Sequence, residues 1–452
     1  MTTKQVGVLE LASKYRYGLT SRGAPLFLFK PYDQGQPDYI VGSTERDTSR
    51  NQIALVETPP GTKEKGRGTL LRLFGPVGDP HAEQAALLEY YCPNKHGKAL
   101  MLDEDDDGDD ENRQPLDFAS SWITFHIDPP GCRDIDDAIA YHHDSRTWAI
   151  TIADVAAAVP LDSPTDKIAA AIGSTFYTLE GQALRPMLPP AISEGSASLL
   201  PGQRRRGVTL FLHADGRESW GLTWITIDHS FTYDSFIGSA VAFDLQISKE
   251  PHAWIEELMI RYNRAAATLL KKAGVGLLRV QPPADAEKIK AWADIDPLLA
   301  NEAAVYEPVS TNKEQTHASL GLYCHASSPL RRYADLTNQR ILKTILKGQQ
   351  PLTASAIAEQ LNDRAKANKR WSRDLTFLTY VTPGRVHEID VVWASHPQDG
   401  ETQHVWAPLW KRLIRLRHEE PRPVGTKGRI QIFCDPTKRN WKQRILTASI
   451  LG

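Results

Sequence analysis

The residues with the clearest chemical content are His126-Ile-Asp128-Pro-Pro-Gly-Cys-Arg-Asp134-Ile-Asp136-Asp137. The apolar run from Trp122 to Ile127 reads as a strand that ends at Asp128. Pro129-Pro130-Gly131 then sets a turn, and the chain returns carrying three more aspartates. Proline and glycine restrict the backbone there, so the four carboxylates can converge on a small volume. Such anions repel one another unless a cation or ordered donors compensate. Mg²⁺ takes carboxylate oxygens together with water and substrate phosphates. One or two such ions can activate a water and stabilise the leaving oxygen of a phosphodiester. Arg133 is a candidate for offsetting part of the charge. Taken alone, an Asp-rich turn is also an ordinary solvated surface feature, and a metal at this position would serve many chemistries.

A second cluster is Ser327-Ser-Pro-Leu-Arg331-Arg332-Tyr333-Ala-Asp335. Paired arginines at a Pro-set turn opening a helix suit phosphate, because the guanidinium is a planar fork and the helix start adds free N–H groups. The plainer alternative is a helix-start salt bridge to Asp335. A third segment, Thr175-Phe-Tyr177 followed by Arg185-Pro-Met-Leu-Pro-Pro190, offers aromatics suited to base stacking and equally to a core.

These residues need elements to hold them. The first ~85 residues read as four or five short strands, which suits a small barrel, and helical spacing follows from Ala82 to Tyr91. Trp122 to Ile127 and Trp148 to Ala153 are strand-like. Ala253 to Lys272, Ala334 to Leu346 and one or two segments within Thr353 to Tyr380 are helical. Strands early and helices late imply α+β rather than a βαβ repeat. After Thr382-Pro-Gly384 the chain is β again over a second barrel-sized segment. Expected domains are 1–85, a helix and acidic linker over 86–112, a catalytic domain over 113–380, and a terminal β domain over 381–452.

The 452 residues allow two to four domains. Hydrophobic residues are 41% and charged residues 24%, which excludes collagen-like or largely disordered chains. No stretch reaches the apolar length of a membrane span, and the N-terminus lacks a secretory pattern. Cys92, Cys132, Cys324 and Cys434 form no CxxC pair, so a reducing, cytoplasmic setting is expected. From Arg331 to Gly452 there are 22 Lys+Arg against 11 Asp+Glu. That end is suited to a polyanion. The acidic run 103–111 mimics the start of a calcium loop, yet Gln114 stands where a bidentate Glu is needed, so a linker is expected.

Together these segments resemble the RNase II/RNase R family of RNB-domain exoribonucleases. The spacing Asp128-x5-Asp134-x-Asp136-Asp137 matches the family's aspartate motif, and Leu320 through Leu336 matches its arginine motif. Arg113 to Asp117, Ile152-Ala-Asp154-Val155, Pro186 to Pro189, Ser198 to Gly202, Glu257 to Asn263 and Leu278 to Pro283 resemble its other blocks, in order. The resemblance implies a central RNB catalytic domain flanked by OB-type β-barrels, cold-shock-like before it and S1-like after it. One N-terminal barrel fits here, where many members have two. It implies a monomer acting on single-stranded RNA, processively and 3′→5′, releasing nucleoside 5′-monophosphates with metal-activated water. Asp128, Asp134, Asp136 and Asp137 would be ligands of Mg²⁺, with Mn²⁺ as substitute. Tyr177 would stack near the terminal base, Arg331 would clamp the phosphate, and Arg332 would be a second clamp. The sequence departs from the family at Thr151 and Gln339, where histidine is common, and at His317-Ala-Ser319, where a Phe is usual. Altered efficiency is expected from these. The alternative is an RNA-binding protein on the same scaffold without turnover; members of that kind are expected to have lost metal-site aspartates, and all four are present.

Overall fold

The computed structural model describes residues 2–61, 65–97, 110–236, 250–352, 355–380, 385–396, 402–417, 421–434 and 445–451. The acidic run lies outside the described residues apart from a short turn at Asp110–Asn112. Gln114 opens a strand rather than closing a calcium loop.

The N-terminal strands β1 (Thr3–Leu9), β2 (Leu26–Pro31), β3 (Tyr39–Gly42), β4 (Gln52–Thr58) and β5 (Gly66–Pro76) close into a barrel in the order β1-β2-β3-β5-β4. Alternation along the strands divides their side chains between two cores. Leu9, Phe27, Phe29, Val41, Ala54 and Val56 fill the barrel. Val6, Val8 and Ile53 point the other way, into the main core with Ala82, Ala86 and Leu87 of helix α1 (Pro80–Tyr91). Helix α1 starts where sequence physics requires: Asp79 caps it by accepting from the Ala82 N–H at 2.8 Å, with Pro80 at the first position.

The centre is a sheet of seven strands. These are β6 (Gln114–Leu116), β7 (Trp122–Ile127), β8 (Asp137–His142), β9 (Thr147–Ala153), β12 (Arg204–Leu212), β13 (Glu218–Thr226) and β14 (His229–Phe231), in the order β14-β7-β8-β9-β12-β13-β6. A two-stranded ribbon, β10 (Phe176–Tyr177) with β11 (Ala183–Arg185), stands apart from it. Strand β9 is buried on both faces, so Ala149, Ile150, Ile152 and Ala153 form a nearly unbroken apolar run. Its one internal hydroxyl, Thr151, is satisfied by Thr209 at 2.9 Å, which meets Thr223 at 2.8 Å. Gly207 makes that contact possible, since a Cβ there would lie 2.3 Å from Thr151 Cγ2.

Helices α2 (Pro164–Ile172), α3 (Pro251–Ala273), α5 (Tyr333–Leu346) and α6 (Ala358–Tyr380) share the main core with this sheet, while α4 (Ala286–Trp292) has no buried residue. Strands β15 (Leu277–Val280) and β16 (Val305–Pro308) pair between α3 and α5. The helical spacing read over Thr353 to Tyr380 is one α-helix preceded by a 3-10 turn at Ser355–Ile357. The C-terminal strands β17 (Val386–Trp393), β18 (Thr402–Ala407), β19 (Arg412–Arg417), β20 (Lys427–Cys434) and β21 (Ile445–Leu451) form one antiparallel sheet, β19-β18-β17-β20-β21. Among the described residues its edge strands do not pair with each other, unlike those of the N-terminal barrel. The fold class is therefore α+β with a small β-barrel.

Two buried amides hold the segment that precedes the arginines. Asn263 of α3 donates to Tyr323 Oη and Ser327 Oγ, both at 3.0 Å, and accepts from the Ala326 N–H at 2.8 Å. Asn338 of α5 accepts from the Leu277 N–H and donates to the Leu277 and His325 carbonyls. A buried polar group left without its partner costs ~1–3 kcal/mol. Asn263→Ala strands the Ala326 N–H and removes the two donated bonds, so we expect a loss of about 2–4 kcal/mol in urea unfolding. A change below about 0.5 kcal/mol would show that the segment is held by packing instead.

Candidate active site

Segment 128–136 links β7 to β8. Gly131 has φ of +80°, in the left-handed region that favours glycine, and the Cys132 N–H closes the turn on the Pro129 carbonyl at 3.2 Å. The return arm is pinned along its length. Ser198 Oγ accepts from the Ile135 N–H at 3.0 Å and donates to the Arg133 carbonyl at 2.7 Å. The Asp136 carbonyl accepts from the Ala153 N–H at 2.8 Å, and the Ile135 side chain is buried. Asp128 thus sits at the end of β7, Asp134 and Asp136 on a fixed arm, and Asp137 at the first position of β8.

Each carboxylate has a different environment. Asp128 Oδ2 lies 2.8 Å from His126 Nδ1, and His126 Nε2 lies 2.9 Å from Ser230 Oγ. Ser230 is the register partner of His126 in the parallel β14–β7 pair. Asp134 accepts from the Tyr177 hydroxyl at 3.1 Å and from the Cys132 thiol at 3.5 Å. Asp136 is buried and uses both oxygens: Oδ1 accepts from the Leu330 N–H and Oδ2 from Arg331 Nε, each at 2.9 Å. Asp137 has no hydrogen-bond or ion-pair donor to its carboxylate among the described residues.

The electrostatics follow from these partners. Burial pushes the Asp136 carboxyl up to about 7, with Arg331 opposing the shift. The Asp137 carboxyl is pushed up to about 8, first by desolvation and then by the neighbouring Asp128 and Asp136 carboxylates. Burial, followed by the charges of Asp128 and Asp134, raises the Cys132 thiol, so it stays protonated and is a poor nucleophile.

The structure brings Asp128, Asp134, Asp136, Asp137, Tyr177 and Arg331 to one site. Arg331 is 43% exposed at its side chain against 3% for Asp136, so its guanidinium is tied at Nε and remains partly accessible. Its Nη2 donates to Ser328 Oγ at 2.9 Å. Arg332 takes the plainer alternative: its Nη2 pairs with Asp335 at 2.8 Å. Arg133 does not offset the aspartates. Its side chain is 69% exposed and its nearest acid is Glu194, at 3.7 Å, because a long guanidinium beside the buried Ile135 position reaches solvent. The compensating cation is Arg331. Tyr177 is fixed through its backbone, whose carbonyl accepts from Trp371 Nε1 at 2.9 Å.

Sequence reasoning missed three positions that shape the site. His126 and Ser230 orient Asp128, and Ser198 holds the return arm. His126 and Ser198 lay within quoted motifs, but no spacing rule assigns their partners. Ser230 is revealed only by strand pairing.

Hard divalent cations take carboxylate oxygens, which is the donor type that these four residues offer. Asp137 is the informative observation, because a carboxyl lacking any protein donor beside two other acids is the charge imbalance that a cation relieves. Among the described residues no three His, Cys, Asp or Glu side chains stand gathered as a ready-made metal cage. His126, Tyr177 and Arg331 occupy oxygens of the other three carboxylates.

The folded chain holds the Asp137 proton to a higher pH than an ordinary aspartate, which titrates near 3.8. Folding is therefore penalised increasingly as pH climbs from that value toward 8. In metal-free buffer Asp137→Asn should melt above the wild type at pH 8, and the gain should shrink toward pH 4. Equal melting temperatures at pH 8 would mean that the carboxyl is compensated.

Comparison with known proteins places this site in context. The RNB domain model matches residues 117–237 and 228–348, together about half of the chain. Ribonuclease R of Helicobacter pylori is 24% identical over 309 residues, covering 49% of this chain and 48% of that protein. The chain spans about half the length of that curated relative. Among solved structures, apo RNase R of Mycoplasma genitalium superposes with a TM-score of 0.69 at 16% identity, covering 99% of this chain and 90% of the other. Yeast Ssd1, described as a pseudonuclease, superposes with a TM-score of 0.67 at 16% identity, covering 92% of this chain and 65% of the other. The family model's span takes in the aspartate loop, Tyr177 and the arginine segment alike, and on that ground the chain belongs to the RNB-domain family.

Proposed function

We propose that this chain is a processive 3′→5′ exoribonuclease that hydrolyses single-stranded RNA to nucleoside 5′-monophosphates. The fold does not choose between enzyme and binding protein, since an RNase R and a pseudonuclease superpose on it almost equally well. The observation that carries the reading is local. All four aspartates are retained, and one of them, Asp137, has no hydrogen-bond or ion-pair donor to its carboxyl among the described residues and stands near an arginine whose guanidinium is partly exposed.

Mg²⁺, with Mn²⁺ as substitute, would be held by Asp128, Asp134, Asp136 and Asp137; when bound it supplies charge neutralisation at the scissile phosphate and lowers the pKa of the attacking water. The chain's own residues do the rest. Arg331 binds a phosphate oxygen through the part of its guanidinium not held by Asp136 and Ser328. Asp136 orients that guanidinium. Tyr177 offers its ring face to the terminal base while its hydroxyl stays on Asp134. His126 keeps Asp128 in one rotamer. None of these contacts reads base identity, which suits a degradative enzyme.

Residues 1–85 and 381–452 would serve as OB-type RNA-binding flanks of a catalytic domain over 113–380, with 86–112 as connection. No helix among the described residues is long and apolar enough to cross a membrane. A cytoplasmic monomer is part of the proposal.

The alternative is an RNA-binding protein without turnover, favoured by the likeness to Ssd1. Asp136→Asn separates the two. We expect nucleotide release to fall at least about a hundredfold, by ~2.7 kcal/mol or more in barrier, while RNA affinity changes little. Full activity in this variant would remove Asp136 from the chemistry. EDTA should stop release by the wild type and Mg²⁺ or Mn²⁺ should restore it; unchanged rates in chelator would contradict metal dependence.

A further inference from the structure

Tyr177 stands on a very short element. Strand β10 consists of Phe176 and Tyr177, and it meets β11 opposite Arg185 and Ala183 with the register slipping between the two pairs. A lone two-stranded ribbon is marginal in water, so it does not by itself hold an aromatic ring at one height. The bonds that fix the ring come from other elements. The Thr175 N–H donates to the Arg331 carbonyl at 3.0 Å, which ties the strand to the arginine segment. The Thr175 hydroxyl accepts from the Met187 N–H at 3.0 Å.

Helix α6 supplies the rest through its side chains. Asn368 Nδ2 donates to the Thr175 carbonyl at 3.0 Å, and Trp371 Nε1 donates to the Tyr177 carbonyl at 2.9 Å. Carbonyls two residues apart on an extended chain face one edge, where a neighbouring strand would bond them. Two helix side chains take the place of that strand. Arg364, Asn368 and Trp371 recur at helical spacing, so they share one face of α6. Arg364 lays its guanidinium 5.7 Å from the centre of the Phe176 ring and donates to the Ile172 and Tyr91 carbonyls. Trp371 is fully buried, and its ring meets Phe176 edge-on at 6.1 Å. A buried indole N–H needs an acceptor, and here the acceptor is the backbone of a site residue. One turn further on, α6 is anchored in turn: buried Asp374 accepts from the Tyr91 hydroxyl of α1 and pairs with Arg412 of β19.

We propose that Trp371 and Asn368 are positioning residues for the nuclease reaction, holding Tyr177 at the height where its hydroxyl meets Asp134 and its ring seats the terminal base. The assignment rests on the exoribonuclease reading of the same site and deepens it. Neither residue touches RNA; both act through the backbone of β10 and the residue before it. Because Thr175 bonds the same strand to Arg331, the base seat and the phosphate-binding arginine are held as one unit. Loosening the strand misplaces the terminal nucleotide against the aspartates, while the sequence-independent contacts that supply affinity stay in place. It therefore costs turnover rather than binding.

The test follows a single-stranded oligouridylate carrying 2-aminopurine as its 3′-terminal base, whose emission is quenched when the base stacks on a ring. Binding is measured in EDTA, so that no turnover intervenes, with wild type, Trp371→Phe, Asn368→Ala and, as the control for the seat, Tyr177→Ala. Trp371→Phe removes the N–H and keeps a ring against Phe176; Asn368→Ala reports on the second bond should Trp371→Phe fail to fold. Wild type should quench the probe and Tyr177→Ala should not. Trp371→Phe and Asn368→Ala should bind within about twofold of wild type yet lose about half or more of the quench per bound oligomer, and with Mg²⁺ their kcat should fall about tenfold at nearly constant KM. A merely structural role would lower the folded fraction and leave the quench per bound oligomer unchanged. Folded variants with the wild-type quench would overturn the assignment, whether or not kcat falls, because the seat would then be intact without these bonds. A wild type that releases nucleotides but never quenches the probe would overturn the seat and this assignment while leaving the exoribonuclease reading standing. A wild type that quenches the probe but releases nothing would sink that reading, and the role in turnover with it.

Discussion

The buried contact between Asp136 and Arg331 ties the site together. It joins two segments 195 positions apart, at 2.9 Å, with the carboxylate fully engaged and the guanidinium only partly so. A buried carboxylate with one partner removed is costly, so the return arm of the aspartate loop and the start of α5 are positioned by each other. The Leu330 N–H adds a second bond from the same segment to the same carboxylate. Asn263 and Asn338 hold that segment from behind, and Ser198 holds the arm. The site is rigid where it must orient groups and uncompensated where it must receive them.

That division organises the charge around the centre. On one side, Asp137 lacks a donor and its carboxyl resists ionisation. On the other, Arg331 is held by Asp136 and Ser328 and stays partly exposed. Under the proposed chemistry a divalent cation would be held among the aspartates and a phosphate oxygen by Arg331.

The local parts of this arrangement were legible in the sequence. Apolar alternation placed β7 and β9, and Pro129-Pro130-Gly131 announced the turn, whereas the convergence expected of the four aspartates is met only in part, since no three of the described acidic side chains gather as a ready-made metal cage. Helix α3 began within a few residues of its expected start because Pro251 and the Glu250 cap mark it. The non-local parts were not legible. Nothing in the pattern around Arg133 and Arg331 says which of them compensates the aspartates; the nearer one in sequence turns to solvent and the distant one enters the site. The departures at Thr151 and Gln339 also read differently in three dimensions. Thr151 belongs to a buried chain of hydroxyls, and Gln339 bridges the Ala153 carbonyl and the Ala156 N–H through its amide. Both act as satisfied core polar groups beneath the site, a role that depends on strands and helices remote in sequence.

The most direct measurement of the central claim is a time course on 5′-end-labelled single-stranded RNA with Mg²⁺, resolved at single-nucleotide length and paired with identification of the released product. The account predicts shortening from the 3′ end with nucleoside 5′-monophosphate as the product. A label that stays at full length while the RNA remains bound, or fragments that arise from internal cuts, would contradict it.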